Sequence, residues 1–488
     1  METQQRYRVV IIGSGFGGQC AAMRLQEKGI SDIRILERRD YMGGTWCQNS
    51  YPGAAVDVQS PLYSISSEPY PWTQMFAEQD ELQRYTNEVI DKHGLREKTT
   101  LNADVKQVHW DDDIKHWLIE TEGAGSFEAQ ILINATGPLS TPVVPDFPGR
   151  DTFKGKTFHT NSWDHSYDYT GKRVAIIGSG ASAAQVIPAI ADKVAKLHVF
   201  QRSPHWVLPR PDRKFSPFQR KLIGIKLLYK ALRWSIYWSL ETRVLGFKYS
   251  KTLLNLLAGR EALKLLKTQV ADPILRNKLT PDFTIGCKRV ILSSTLYPAL
   301  SRSNVTVHDK HDGIQKINET GIVTAQGQQV DVDLIVWSTG YDATDGLISY
   351  PVIGKDKKPL SSFWEEYPRA YLGTTIPGFP NLFVVTGPNT GIGHTSALFV
   401  IESQIKYITN SIRHLEQSGK QAIEVRECAE DEYTQMVHSE MEKTVWKSGG
   451  CTSWYQSKSG HVVAMFPGFS FTFRRLASRF KLKHHLFS

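Results

Sequence analysis

Val9-Val10-Ile11-Ile12-Gly13-Ser14-Gly15-Phe16-Gly17-Gly18 decides the fold. Four apolar residues read as a buried strand, and the glycines after them as a tight turn into a helix. The pattern returns as Val174-Ala175-Ile176-Ile177-Gly178-Ser179-Gly180-Ala181-Ser182-Ala183, with Ala183 in place of the last glycine, a variant this turn permits. Such a turn lets backbone approach a pyrophosphate, which rests on the helix N-terminus. The two copies then diverge. Glu37 stands 24 residues beyond Gly13, and Arg202 stands 24 residues beyond Gly178. An acid at that place accepts hydrogen bonds from ribose hydroxyls, whereas an arginine meets a 2′-phosphate. The combination implies FAD at the first site and NADPH at the second. The fold class is therefore α/β, with two Rossmann-like dinucleotide-binding domains, and the expected chemistry is that of a flavin-dependent oxidoreductase.

Composition narrows the alternatives. The 488 residues, 41% apolar and 22% charged, describe an ordinary globular chain of several domains. The net charge of +9 is what two polyanionic cofactors call for, and no nucleic-acid motif accompanies it. The five cysteines, Cys20, Cys47, Cys287, Cys428 and Cys451, are odd in number and scattered. They read as reduced thiols. No C-x-x-C or C-x4-C pair is present, which speaks against a pyridine nucleotide–disulfide reductase. The first strand begins near Arg8, which leaves no room for a signal peptide and points to the cytoplasm.

No stretch has the length and apolarity of a membrane span. Leu222 to Leu240 comes nearest, broken only by Lys226, Lys230 and Arg233 on one stripe of a helix. Such a helix is either packed on three sides or lies at a lipid interface. The C-terminal segment mixes Arg474, Arg475, Arg479, Lys481 and Lys483 with Phe473, Leu476, Phe480, Leu482 and Leu486. Internal packing with a basic tail is the leading expectation, and weak peripheral membrane contact the lesser one. The chain is expected to be a monomer or a small homo-oligomer.

Residues 1–140 form the first part of the FAD-binding domain. Ile131-Leu132-Ile133-Asn134-Ala135-Thr136-Gly137 leaves it as a buried strand, followed by a connector with four prolines between Pro138 and Gly149. The NADP-binding domain occupies 150–330 and is interrupted by a helical, aromatic and basic insert at about 211–280. A second buried strand, Leu334-Ile335-Val336-Trp337-Ser338-Thr339-Gly340, ends in the same Thr-Gly. The repetition suggests two linkers, so that the NADP domain is inserted into the FAD domain. The latter then resumes over 331–488, with the basic tail.

Phe153-Lys154-Gly155-Lys156-Thr157-Phe158-His159-Thr160-Asn161-Ser162-Trp163-Asp164 resembles the Baeyer–Villiger monooxygenase fingerprint F-x-G-x-x-x-H-x-x-x-W-(P/D) at every fixed position. Further similar stretches span almost the whole chain: Gly43-Gly44-Thr45-Trp46, Tyr51-Pro52-Gly53-Ala54-Ala55-Val56-Asp57, Gly286-Cys287-Lys288-Arg289, Gly387-Pro388-Asn389 and Cys451-Thr452-Ser453-Trp454-Tyr455. In that family NADPH reduces the flavin, O2 adds to it, and the resulting peroxide attacks a ketone carbonyl to give an ester or lactone. Developing negative charge then needs a fixed cation. The resemblance assigns that part to Arg289, positioned by Asp57. It places Lys288 beside Arg202 and Ser203 at the 2′-phosphate, with Gly178, Gly180, Ser182 and Ala183 at the pyrophosphate.

Around the flavin the resemblance places Thr45 and Trp46 near the ring, Tyr63 near the linking chain, and the Val105 backbone at the adenine. Asn389 borders the flavin edge, and Trp454 lies in a loop that folds over NADP. The turn residues Gly13, Gly15 and Gly18 complete that site. Fingerprint residues Phe153, Gly155, His159, Trp163 and Asp164 couple the domains, so His159 is not read as a proton-transfer group. His394 either lies near the site or caps a helix. The expected partners are O2 and an apolar small-molecule ketone or sulfide. Two competing readings are a flavin monooxygenase acting mainly on sulfur or nitrogen, and a catalytically silent flavin-binding or redox-sensing protein.

Overall fold

The first glycine turn sits where its apolar run predicts. The fold is given by a computed structural model that describes residues 5–488. Strand Gln5–Ile12 pairs in parallel with Ile33–Leu36 on one side and Ser126–Asn134 on the other. Val9, Val10 and Ile11 are fully buried between layers, as expected of a strand covered on both faces. Helix Phe16–Glu27 follows at once. Strands Asp104–Asp111, His116–Glu122 and Ser126–Asn134 extend the same sheet as an antiparallel meander.

A second sheet holds five strands in the order Val305–His308, Lys196–Phe200, Arg173–Ile177, Leu334–Trp337 and Lys156–His159, all parallel. The chain then returns to the first sheet through Val352–Ile353 and Leu382–Val384. One expectation shifts here. Leu334–Trp337 is an inner strand of the second sheet, so the first sheet is rejoined beyond residue 337, later than 331. Within the fingerprint segment, Lys156–His159 forms that sheet's edge strand.

Residues 211–280 are largely helical, with Pro217–Ile223, Lys226–Glu241, Lys251–Leu254, Arg260–Gln269 and Pro273–Lys278 as the α-helices. Helix Lys226–Glu241 is not packed on three sides. Tyr229, Arg233, Ile236, Tyr237 and Leu240 are buried, while Lys226, Leu227, Leu228, Lys230, Trp234 and Trp238 face outward. Most of the C-terminal segment is docked: Phe473 is fully buried and Phe480 packs on the core, so it is not a loose tail. Among the described residues no helix is long and apolar enough to cross a membrane.

Candidate active site

The two glycine turns differ in what surrounds them. Gly13 has φ +103°, and a Cβ there would lie 2.6 Å from the Ala135 carbonyl oxygen. Gly44 has φ +63° and packs its α-carbon face against Gly15, so a side chain at either place is strained or blocked. Glu37 is buried at the end of its strand. Its carboxylate accepts from the Ser14 N–H at 3.1 Å, the Ser14 hydroxyl at 2.6 Å and the Arg39 N–H at 3.1 Å. These bonds fix an acceptor beside the N-terminus of helix Phe16–Glu27. Val105 lies close by in the chain fold: the N–H of Ala103, two residues earlier, donates to the Glu37 carbonyl.

In the second turn, Gly178 has φ +129° and a Cβ would lie 2.1 Å from the Ser338 carbonyl oxygen. Gly180 caps helix Ala181–Ile190 and faces open space. Ala183 is buried against the sheet, and Ser182 lies beside the Tyr51 hydroxyl. Lys288 donates to the Ser203 hydroxyl at 2.7 Å. Its ammonium is held below the usual lysine range, first by burial and then by the nearby Arg202 charge. Arg202, Ser203 and Lys288 therefore meet at one place, from segments about 85 residues apart. Two cations with so little compensating charge suit a dianionic phosphate.

Asp57 and Arg289, 232 residues apart, form a two-point pair. Arg289 Nε donates to Asp57 Oδ2 at 2.6 Å, and Nη2 to Oδ1 at 2.6 Å. Burial alone would raise the Asp57 carboxyl, but the Arg289 charge and its hydrogen bonds outweigh that and hold it below the carboxylate range. Asp57 in turn raises Arg289 above its ordinary value, more than burial lowers it. The pair is permanently ionised near neutral pH. Tyr455 and Tyr63 both lie within its field. Burial pushes the Tyr455 hydroxyl up to about 12, so it stays protonated.

Trp46 donates from Nε1 to the Tyr63 hydroxyl at 3.2 Å, edge-on to that ring. Thr45 begins the short helix that carries Trp46. The segment leading to Asp57 is moulded onto the second nucleotide helix. Tyr51 donates to Gln185 Oε1 at 2.9 Å, Gln185 Nε2 donates to the Ala55 carbonyl at 2.9 Å, and a Cβ on Gly53 would lie 2.6 Å from the Gln185 carbonyl oxygen. The site is thus assembled from both sheets.

Two relatives match nearly the whole chain. It is 41% identical to a Baeyer–Villiger monooxygenase of Pseudomonas aeruginosa over 97% of this chain and 90% of that one. It is 42% identical to one of Streptomyces coelicolor, over 99% and 93%. This chain belongs to the Baeyer–Villiger monooxygenase family. A closed cyclohexanone monooxygenase superposes with a TM-score of 0.90 at 27% identity over all of both chains. A steroid monooxygenase bound to NADP does so with 0.86 at 29% identity over 97% of each. The family model described as pyridine nucleotide-disulphide oxidoreductase matches residues 10–224.

In this Baeyer–Villiger chain the fingerprint residues are held by close contacts. A Cβ on Gly155 would meet Phe153 Cζ at 2.4 Å and the Asp333 carbonyl oxygen at 2.7 Å. Trp163 is buried against Phe158 and Tyr169. Asp164 accepts from Lys156 Nζ at 2.6 Å and from Ser166, and is pushed down to about 2, chiefly by Lys156. His159 Nδ1 accepts from the Asn161 N–H at 3.1 Å, and burial lowers its pKa, so it is a neutral strand residue facing Tyr341.

The Asn389 amide donates to the Val462 and Met465 carbonyls at 2.9 and 3.0 Å, which pins the segment after Tyr455. His394 caps nothing: Ser396 caps helix Ala397–Ser418, while His394 Nε2 meets Glu241 at 3.2 Å. Trp454 is 42% exposed and packs edge-on against Tyr455.

The cysteines do not all remain thiols. Cys287 and Cys451 form a disulfide, while Cys20, Cys47 and Cys428 are free. The 164-residue separation hid the pairing, since only the tertiary fold brings the segments together. The bond ties the Lys288-Arg289 segment to the Trp454-Tyr455 segment.

Tyr455 and Ser14 were not assigned roles from sequence. The Ser14 signal was its place between the turn glycines, with Glu37 closing on it. Tyr455 had no such signal beyond adjacency to Trp454.

Proposed function

We propose that this protein is an FAD-dependent monooxygenase that uses NADPH and O2 to insert one oxygen atom beside the carbonyl of an apolar small-molecule ketone. The two-point Asp57–Arg289 pair carries the reading. The residues present fit both cofactors. Glu37, Ser14 and the Gly13–Gly15 turn fit a dinucleotide with free ribose hydroxyls. Gly180 leaves room for a pyrophosphate that a Cβ would fill, and Arg202, Ser203 and Lys288 fit a 2′-phosphate. Thr45, Trp46 and Tyr63 would flank the flavin ring and chain, with Val105 by the adenine. Asn389 would act through the segment it pins, and Trp454 would border NADP.

Bound FAD, reduced by NADPH, supplies the activated oxygen. The chain's own part is electrostatic and steric. Arg289 offers a permanent cation toward the negative charge that grows as oxygen adds to a carbonyl, and fixed charge of this kind needs no reorganisation. Asp57 holds the guanidinium plane at two points, so its free Nη1 edge keeps a set direction. Tyr63 and Tyr455, both protonated, lie within the pair's field.

Cyclic ketones are the first substrates to test, because cyclohexanone and steroid monooxygenases share this fold. Arg289→Ala is expected to lower ester formation on the order of 10²–10³-fold. Sulfide oxidation should fall less, and anaerobic reduction of the bound flavin by NADPH should persist. If the folded, FAD-loaded variant loses flavin reduction and both oxygenations together, Arg289 serves nucleotide binding and the assigned role is wrong. A wild-type protein that oxidises sulfides but no ketone would favour the heteroatom reading.

A further inference from the structure

The outward face of the helical insert is apolar to a degree that ordinary solvent exposure does not explain. Leu227 is 76% exposed, Leu257 63%, Tyr249 62% and Trp238 54%. An aromatic chain runs through this face from Trp234 to Tyr249. Trp234 stacks on Trp238 at 6.5 Å, Trp238 meets Phe471 at 6.0 Å, Phe471 stacks on Phe469 at 4.9 Å, and Phe469 meets Tyr249 at 6.5 Å. Contiguous exposed apolar surface of this kind marks a docking face.

The charge around it is one-sided. Between Asp212 and Glu261 the chain holds eleven lysines and arginines and a single acid, Glu241. Glu241 is 1% exposed and is occupied by His394 and Ser470, so it contributes no acid to the surface. Lys226 and Lys230 stand one helical turn apart beside Leu227 and Trp234, and Arg474 and Arg475 flank Phe471 on the neighbouring helix.

A cavity of about 330 Å³ opens at this face, lined in part by Lys226, Lys230, Arg233, Trp234 and Arg474. Glu402 is its one acid, and one of its oxygens is taken by the Ser66 N–H. Arg233 is buried. Its Nη1 donates to the Pro61, Leu62 and Ser64 carbonyls, while its Nη2 makes no hydrogen bond among the described residues and meets the Glu402 carboxylate only as a long ion pair of 3.8 Å. Four cations against one engaged acid, with Trp234 at the rim, match a phosphate-bearing headgroup beside acyl chains.

We propose that this face docks on an anionic phospholipid bilayer surface. Leu227, Trp238, Tyr249 and Leu257 would enter the headgroup–acyl boundary, and the Lys226–Lys230–Arg233–Arg474 cavity would receive a lipid phosphate. A second copy of this chain fits the face poorly. A twofold contact would lay the basic rim against itself, and like charges oppose that. Nucleic acid fits poorly too, because its phosphates have no use for exposed leucines.

The test uses FAD-loaded full-length protein and vesicle flotation at low salt. The vesicles are pure phosphatidylcholine or phosphatidylcholine with 30% phosphatidylglycerol, the latter content being about a third so that the surface is anionic. Binding to the anionic vesicles is expected, at least about tenfold weaker to the neutral ones. Leu227→Glu/Trp238→Glu should abolish flotation while leaving flavin content and melting temperature unchanged, since both side chains already face water. Lys230→Gln/Arg474→Gln should weaken it on the order of 25-fold, about fivefold per charge. Inorganic phosphate at concentrations that do not change vesicle charge should compete only weakly, because the apolar contacts are lost with it.

Three results would overturn the proposal. One is no flotation of the wild type with anionic vesicles. Another is flotation that survives Leu227→Glu/Trp238→Glu. The last is a lipid-free dimer that this double variant splits, which would make a second copy the occupant.

Discussion

At the residue scale the site depends on an arginine that must be charged and aimed. Arg289 is charged under any working condition, so Asp57 matters for direction more than for charge. Asp57→Asn keeps the shape but replaces a two-point carboxylate with one acceptor and a donor that opposes Nη2. Ketone oxygenation should fall on the order of 10²-fold, the usual cost of a misaimed group. FAD content and anaerobic reduction by NADPH should stay near wild type. Steady-state rates beside a flavin absorbance titration measure this, and a variant with full ester formation would show that Asp57 aims nothing. The sign of the pH effect is fixed as well. The Asp57 carboxyl lies below its ordinary value in the fold, so the pair is intact above the ordinary carboxylate range and is lost only as pH falls through the lower folded value. An acid limb of the rate profile near pH 6 would therefore come from another group.

At the element scale, the glycine turns show how a motif acquires two separate duties. Gly178 is demanded by the fold, because its φ of +129° and the Ser338 carbonyl leave no place for a Cβ. Gly180 has nothing within 4 Å of such an atom, so the fold does not need it. Gly180→Ala should leave the melting temperature within about a degree of wild type and weaken NADPH binding by about tenfold or more, because the added methyl occupies pyrophosphate space. Gly178→Ala should lower stability by about 1–3 kcal/mol in addition. Thermal melts and NADPH titrations read both, and a Gly180→Ala protein with unchanged NADPH affinity would remove the pyrophosphate from that turn. The turns were legible in sequence because local geometry alone dictates their residues. The strand Leu334–Trp337 was legible as buried yet was given to the wrong sheet. A continuous apolar run reports burial, but not which neighbours supply it. Cys287–Cys451 was illegible for a related reason: a pairing across 164 residues has no local signature.

At the scale of the whole molecule, several buried histidines work in the neutral form, and this sets an acid limit on the fold. Arg289 and Asp57 could be matched to a motif, but no sequence pattern distinguishes a buried neutral histidine from an exposed one. Burial lowers His159 and His308, and pushes His198, His205 and His485 down to about 4. His485 shows the cause most clearly. It lies 3% exposed on the C-terminal strand that pairs with Ile423–Val425. Its Nδ1 donates to the Lys481 carbonyl at 2.9 Å, so its Nε2 accepts from the Tyr407 hydroxyl at 2.6 Å. A second proton would remove that acceptor and leave a buried charge. The unfolded chain takes up this proton near the ordinary histidine value of about 6.5, and the folded chain resists it. Stability from His485 is therefore complete above pH 6.5 and declines as pH falls toward 4, by on the order of 2 kcal/mol at pH 5. Melting temperatures of the FAD-loaded protein at pH 7.5, 6.5 and 5 should fall stepwise. His485→Gln should melt lower than wild type at pH 7.5, for want of one hydrogen bond, yet lose less between pH 7.5 and 5. Parallel pH slopes for the two proteins would mean that the C-terminal strand is not where acid first loosens the fold.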